Sequence, residues 1–376
     1  MKKIFIVLLI FSLFLVSCNS DKGQTKNEGN NPIDEEINEQ EIDVIETEDK
    51  ENDQKKNEEE SNSEQIKENK EPKFYSKLTG LEVKKGIINR RPIAVMLDNH
   101  YKARPQANLS KADIVYEILA EGKITRYMAI YQSILPENIG PVRSARPYFI
   151  KKALELGSFY VHVGGSPQAF KDIDRFNVKD IDAMASGYNT FWRENHKNIP
   201  HNMYTSSNAI LKEADRKKYS LDNNNIDIFE FNNELKSIDG KKAKNIKIFY
   251  KKPSNSDSYG YVSEYKYLED ENKYLRYTNG EKYLDEFSNN EIKVTNIIIQ
   301  FAKHKVYDNK GRRNISLIGS GKAKLITNGE VIDLNWKKDS VNSKTVFLDN
   351  DGEEIRLNKG KTWIQVVPLN IEIEIN

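Results

Sequence analysis

Apolar residues fall along this chain in two rhythms. Between residues 91 and 220 they come first as compact runs of strand length, at 93–97, 114–119, 127–131 and 159–163, each closed by turn or charged residues. Continuous runs rich in Ile, Val and Tyr predict strands covered on both faces. Between the runs the spacing turns helical. Phe149, Ile150, Ala153, Leu154 and Leu156 stop at Gly157, Ala169, Phe170 and Ile173 follow Ser166 and Pro167, and residues 209–217 follow Ser206. Ser144 reads as the cap of the first of these helices. Strands alternating with helices predict an N-terminal α/β domain with a mixed sheet over residues 73–218. After a polar stretch at 219–225 the texture changes to short strands, among them 246–250, 259–267, 274–278, 292–301, 322–327 and 362–367. The pairs Asn279-Gly280, Asn328-Gly329 and Asp351-Gly352 mark hairpins between such strands. Residues 219–376 are therefore expected to form a mostly antiparallel β domain, and the fold class is α+β.

Two N-terminal segments lie outside this pattern. Lys2 and Lys3 precede an apolar run over 4–16, shorter than a comfortable membrane span, that ends Leu15-Val16-Ser17-Cys18. Residues 1–18 read as a lipoprotein signal peptide, with Cys18 as the lipid attachment site and membrane lipid as its partner. Cys18 is the only cysteine of the chain, which excludes an internal disulfide, a thiolate zinc cluster and a cysteine nucleophile in the folded part. Residues 19–72 hold 19 Asp and Glu against 7 Lys, without an aromatic residue, and read as a disordered acidic tether. The whole chain has a net charge of +1 and the signal contributes +2, so residues 73–376 carry +11. A basic body on a membrane-anchored acidic leash is expected to face the extracytoplasmic side. An anionic cell-wall component or an envelope protein is its expected partner.

The candidate chemistry gathers where strands end. Arg104, Arg126, Arg143 and Arg146 stand beside turn residues, and a guanidinium fork suits carboxylate or phosphate. Together with Ser144 they are the expected ligand-binding residues of an anion-recognising cleft. Internal pairing with Asp98, Asp113, Glu117 and Glu121 is the competing role for the arginines. Asp98, Glu117, Glu121, His162 and His201 are the candidates for general acid and base chemistry. Ser144 and Ser166 lie in no Gly-x-Ser-x-Gly elbow, and no His-Glu-x-x-His pair or calcium loop occurs, so neither a serine nucleophile nor a metal is expected. No cofactor is expected, and the export signal and the lack of a known module argue against nucleic acid. Two functions stand: an envelope binding or accessory protein, and an envelope hydrolase or transferase acting on a glycan or phosphoester.

Several blocks also carry a resemblance. Arg91-Pro92-Ile93-Ala94-Val95-Met96-Leu97-Asp98-Asn99, Ala103-Arg104-Pro105-Gln106, Ala112-Asp113-Ile114-Val115-Tyr116-Glu117, Gly140-Pro141-Val142-Arg143-Ser144-Ala145-Arg146 and His201-Asn202-Met203-Tyr204-Thr205 resemble the YerB-like bacterial lipoproteins. The likeness continues through Ile326-Thr327-Asn328-Gly329 and Gly360-Lys361-Thr362-Trp363-Ile364. It implies a two-part architecture of unknown function, lipidation and an envelope location, and brings no established catalytic residue.

Overall fold

The computed structural model describes residues 72–187, 189–252 and 260–376. The expected signal peptide, Cys18 and the acidic tether lie outside the described residues. The N-terminal half gives five strands to a large sheet: β1 (Ile93–Asp98), β2 (Ile114–Leu119), β3 (Thr125–Tyr131), β4 (Phe159–His162) and β5 (Asp180–Asp182). Its helices are α1 (Pro147–Glu155), α2 (Pro167–Arg175) and α3 (Ser207–Arg216). The C-terminal half adds β6 (Asn245–Lys251), β7 (Tyr261–Leu268), β8 (Lys273–Thr278), β9 (Asn296–Ala302), β10 (Gly319–Thr327), β11 (Glu330–Lys338), β12 (Thr362–Pro368) and β13 (Glu372–Ile375).

The large mixed sheet runs β11-β10-β9-β12-β2-β3-β1-β4-β5, with two short strands added on β11. One strand joins the halves: β12 lies between β9 and β2 and is parallel to both. Every residue of β1, β2 and β3 is buried, which explains why apolar residues fill them but for Asp98, Glu117, Thr125 and Arg126. Ile93, Val95 and Leu97 meet a core that includes Ile246, Ile248 and Tyr265 of the C-terminal half and Ile210 of α3. Ala94 and Met96 belong to a second core with Phe149 and Ala153 of α1 and Ala169 of α2. A smaller antiparallel sheet, β8-β7-β6-β13 with short strands on β8, completes the C-terminal half. Along β6, Ile246, Ile248 and Tyr250 are buried and alternate with exposed or half-buried residues, the period of a one-sided strand.

Local signals behave as their chemistry demands. Ser166 Oγ accepts from the Ala169 N–H at 3.2 Å and Ser206 Oγ from the Ala209 N–H at 3.1 Å, capping α2 and α3. Asn279-Gly280 and Asn328-Gly329 turn their hairpins with positive φ at both residues. Ser144 does not cap α1. Pro147 opens that helix and holds Arg146 extended at the cap position, so Ser144 is left in the preceding loop. Ahead of the C-terminal strands, residues 226–231 pair only at Glu230–Phe231.

Candidate functional site

Six strands of the large sheet, β5, β4, β1, β2, β12 and β9, run in one direction, while β3 runs against β1 and β2. Their carboxyl ends form one edge, the place where open α/β sheets bind ligands. Asp98 ends β1, Glu121 lies on the β2–β3 turn, and Arg126, the second residue of β3, pairs in register with Asp98. Arg143, Ser144 and Arg146 lead into α1 beside them, through the Arg143 N–H bond to Met96 of β1 and the Ser144 carbonyl that accepts from Arg126 at 2.7 Å.

Three of the four arginines meet carboxylates at this edge. Arg126 Nη2 lies 2.9 Å from Glu121 Oε2, and the Arg146 guanidinium holds Glu121 Oε1. Burial first, and then repulsion by Arg146, lowers the pKa of Arg126 to about 10. Arg143 Nε lies 3.2 Å from Asp98 Oδ2. That same oxygen is 2.7 Å from His201 Nδ1, and Asp98 Oδ1 accepts the His100 N–H at 3.0 Å. Because a carboxylate only accepts, His201 Nδ1 carries the proton of that bond. His100 stacks on His201 at 4.6 Å, and its pKa is lowered by burial and by His201.

Arg104 is different. Its Nε donates to Asn99 Oδ1 at 2.9 Å and its Nη2 to the Asn99 carbonyl at 3.0 Å, with the guanidinium 4.4 Å over the Tyr261 ring. No carboxylate lies in ion-pair range of it among the described residues. Burial acts to lower its pKa, but Tyr283, Tyr261, Tyr127 and Glu117 more than offset that, so the cation is held. Arg104 lines a cavity of about 470 Å³ with Asn99, His100, Tyr101, Glu121, Gly122, Lys123, Ile124 and Thr125 of the N-terminal half. Lys251, Gly260, Tyr261 and Asn279 close it from the C-terminal half.

Behind the cavity lies Glu117, fully buried. It accepts from Thr125 Oγ1 at 3.0 Å, Gln365 Nε2 at 2.9 Å, Trp363 Nε1 at 3.2 Å and the Tyr261 hydroxyl, and pairs with the equally buried Arg276 at 3.3 Å. These donors come from both halves. Asn99 Nδ2 donates to Thr125 Oγ1 at 2.7 Å, so a hydrogen-bonded path leads from Arg104 through Asn99 and Thr125 to Glu117. His162 is fully buried away from this cavity, with Nδ1 2.9 Å from the Gly164 carbonyl and Nε2 3.6 Å from Asp180.

Asp98, Glu121, Arg104, Arg126, Arg143, Ser144, Arg146 and His201 are thus drawn to one edge, whereas Glu117 serves the interior and His162 stands apart. Sequence reasoning did not assign Asn99, Thr125, Tyr261 or Asn279 to the cleft. Asn279 was visible only as a hairpin residue, and Tyr261 only as one strand tyrosine among many.

These features define an α+β protein of two interleaved halves, with a cation-bearing cavity at their seam. The chain belongs to the family described as protein of unknown function (DUF3048), whose N-terminal domain matches residues 78–220 and whose C-terminal domain matches residues 252–364. It is 38% identical over 296 residues to the protein of Bacillus subtilis (strain 168) named "Putative lipoprotein YerB", covering 79% of this chain and 87% of that relative. The crystal structure of YerB protein from Bacillus subtilis superposes with a TM-score of 0.72 at 37% identity, covering 80% of this chain and 99% of that one.

Proposed function

We propose that this chain is a lipid-anchored cell-envelope binding or accessory protein whose Arg104 cavity takes an anionic, sugar-like group of a wall component or partner. In this reading residues 1–18 are the signal, Cys18 carries the lipid, residues 19–72 are the tether, and 73–218 and 219–376 are the two parts of the body. The observation that carries it is Arg104: a cation kept charged, opening onto a cavity, and with no carboxylate in ion-pair range among the described residues. Tyr101, an exposed ring, offers apolar surface to a sugar, and the Asn99 and Asn279 amides and the Thr125 hydroxyl line the same cavity. N-acetylmuramate, a carboxylate-bearing wall sugar, is the probe, with neutral N-acetylglucosamine as its control. Arg104→Ala should weaken N-acetylmuramate binding to the full chain by about tenfold, the value of a charged hydrogen bond. Equal affinity in wild type and variant would remove the reading. Labelling with an alkynyl fatty acid tests the anchor, and label retained by Cys18→Ala would refute it.

A second reading, an envelope hydrolase or transferase acting on a glycan or phosphoester, is favoured by the Asp98–His201 pair. The carboxylate orients His201 through Nδ1, which leaves Nε2 of the neutral ring as an acceptor, the arrangement of a general base. Loss of turnover in His201→Gln with N-acetylmuramate binding intact would favour this reading over the first.

A further inference from the structure

We propose that the hollow beside Pro72 is a docking surface for anionic lipid headgroups, and that the body seats on the bilayer through it with the Arg104 cavity turned away. The proposal rests on the reading of Cys18 as the lipid attachment site. The hollow, of about 780 Å³, opens between the hairpin of Phe74–Tyr75 with Glu82–Val83 and the starts of β2 and β12. Lys73, Leu81, Lys84, Lys85, Ile134 and Lys361 line it.

Charge is the first observation. The lining holds four lysines against Glu82 and Asp113, a net charge of +2. Glu82 answers Lys73 at 3.0 Å, and Lys361 donates to the Ser110 carbonyl. Lys84 and Lys85 are exposed, with no carboxylate in ion-pair range among the described residues. The second observation is that apolar side chains share this rim: Leu81 is 45% and Ile134 46% exposed. A soluble anionic polymer would answer the lysines and leave Leu81 and Ile134 in water. A headgroup layer answers both, because ammonium groups on long stems stay at the phosphates while apolar side chains enter the acyl boundary.

Position is the third. Pro72 itself lines the hollow, so along the chain this face is tied nearest to Cys18. For a surface linked to its target through the same polypeptide, weak affinity is enough. Strand direction then fixes what the seated body presents. β2 and β12 are parallel, with Ile114 facing Thr362, and Asp113 and Lys361 of the hollow directly precede those two residues. Asn99, Glu121 and Thr125 of the Arg104 cavity lie past the opposite, carboxyl ends. The six residues of β2 put about 20 Å between the two edges. Seating the amino edge on lipid therefore turns the cavity toward the wall.

The test uses the full lipidated chain reconstituted into vesicles, with a nitrobenzoxadiazole dye on Leu81→Cys. Ile134→Cys serves in its place if that variant fails to fold, and Leu369→Cys, which is 64% exposed and follows β12 at the opposite edge, is the control. When phosphatidylglycerol is mixed into phosphatidylcholine, emission from Leu81→Cys should rise and shift to the blue, and emission from Leu369→Cys should stay as it was. Replacing Lys84→Gln and Lys85→Gln together should lower the ratio of docked to free body by about fivefold for each lysine, and raised salt should do the same. A chain that enters neither kind of vesicle overturns the Cys18 reading and the proposal with it. A chain that enters both while the Leu81→Cys dye ignores phosphatidylglycerol overturns the proposal alone. An equal response in pure phosphatidylcholine also overturns it, since the occupant would then not be anionic lipid, and so does a response that survives the double lysine replacement.

Discussion

Glu117 and Glu121 stand four residues apart, and both bind arginine, yet they belong to different kinds of environment. Glu117 points into the seam between the two halves, is wholly covered, and has its oxygens taken up by a tyrosine, a threonine, a tryptophan, a glutamine and Arg276. Glu121 is 27% exposed, lines the cavity, and faces only guanidinium groups. The first carboxylate is a saturated structural joint. The second is a small anion in a site with more positive charge than it neutralises. Residue type and sequence distance do not separate the two roles; burial and the number of donors do.

Removing each carboxylate should expose the contrast. Glu117→Ala leaves Arg276 buried without its counter-ion and should cost about 3–5 kcal/mol in denaturant unfolding, with no recovery from added phosphate. A loss below about 1 kcal/mol would mean that the pair is not a joint. The next effect concerns His304, on the arginine side of the contrast. Burial, with Arg313 nearby, lowers its pKa from 6.5 to about 4. The folded state keeps this ring neutral while the unfolded chain takes up a proton, so stability is fully present above about pH 6.5 and falls as pH drops toward 4. His304→Gln should flatten that limb of the pH–stability curve by about 3 kcal/mol, and an unchanged acid limb would assign the loss to other groups. Glu121→Ala should be mildest, at about 1 kcal/mol, because its site is partly wet. Phosphate buffer should restore most of that loss by occupying the vacated fork, and a melt indifferent to phosphate would erase the distinction from Glu117.

Much of the framework was legible along the chain, and the reason is local. β1, β2 and β3 are covered on both faces, so each appears as a largely apolar run, and Ser166 and Ser206 announce their helices by side-chain bonds three residues long. The start of α1 was misplaced because Ser144 is a good cap by type, while Pro147 decides the matter by restricting the residue before it. The seat of β12 was not legible. Apolar alternation tells which side of a strand is covered, not which sheet receives it, and the partners Thr362 and Ile114 are far apart in the chain. The candidate site was legible in residue types and not in pairing. That Arg143 takes Asp98, that Arg126 and Arg146 share Glu121, and that Arg104 instead rests on the ring of Tyr261 depend on contacts between distant segments.

The place of β12 also bears on how the polypeptide is made. With Thr362–Pro368 seated beside Ile114–Leu119, a nascent chain halted anywhere earlier would leave an early strand with one hydrogen-bonding edge bare, open to pairing with another molecule. Assembly of the central sheet has to wait until Thr362–Pro368 emerge, more than two hundred residues after the strand they pair with.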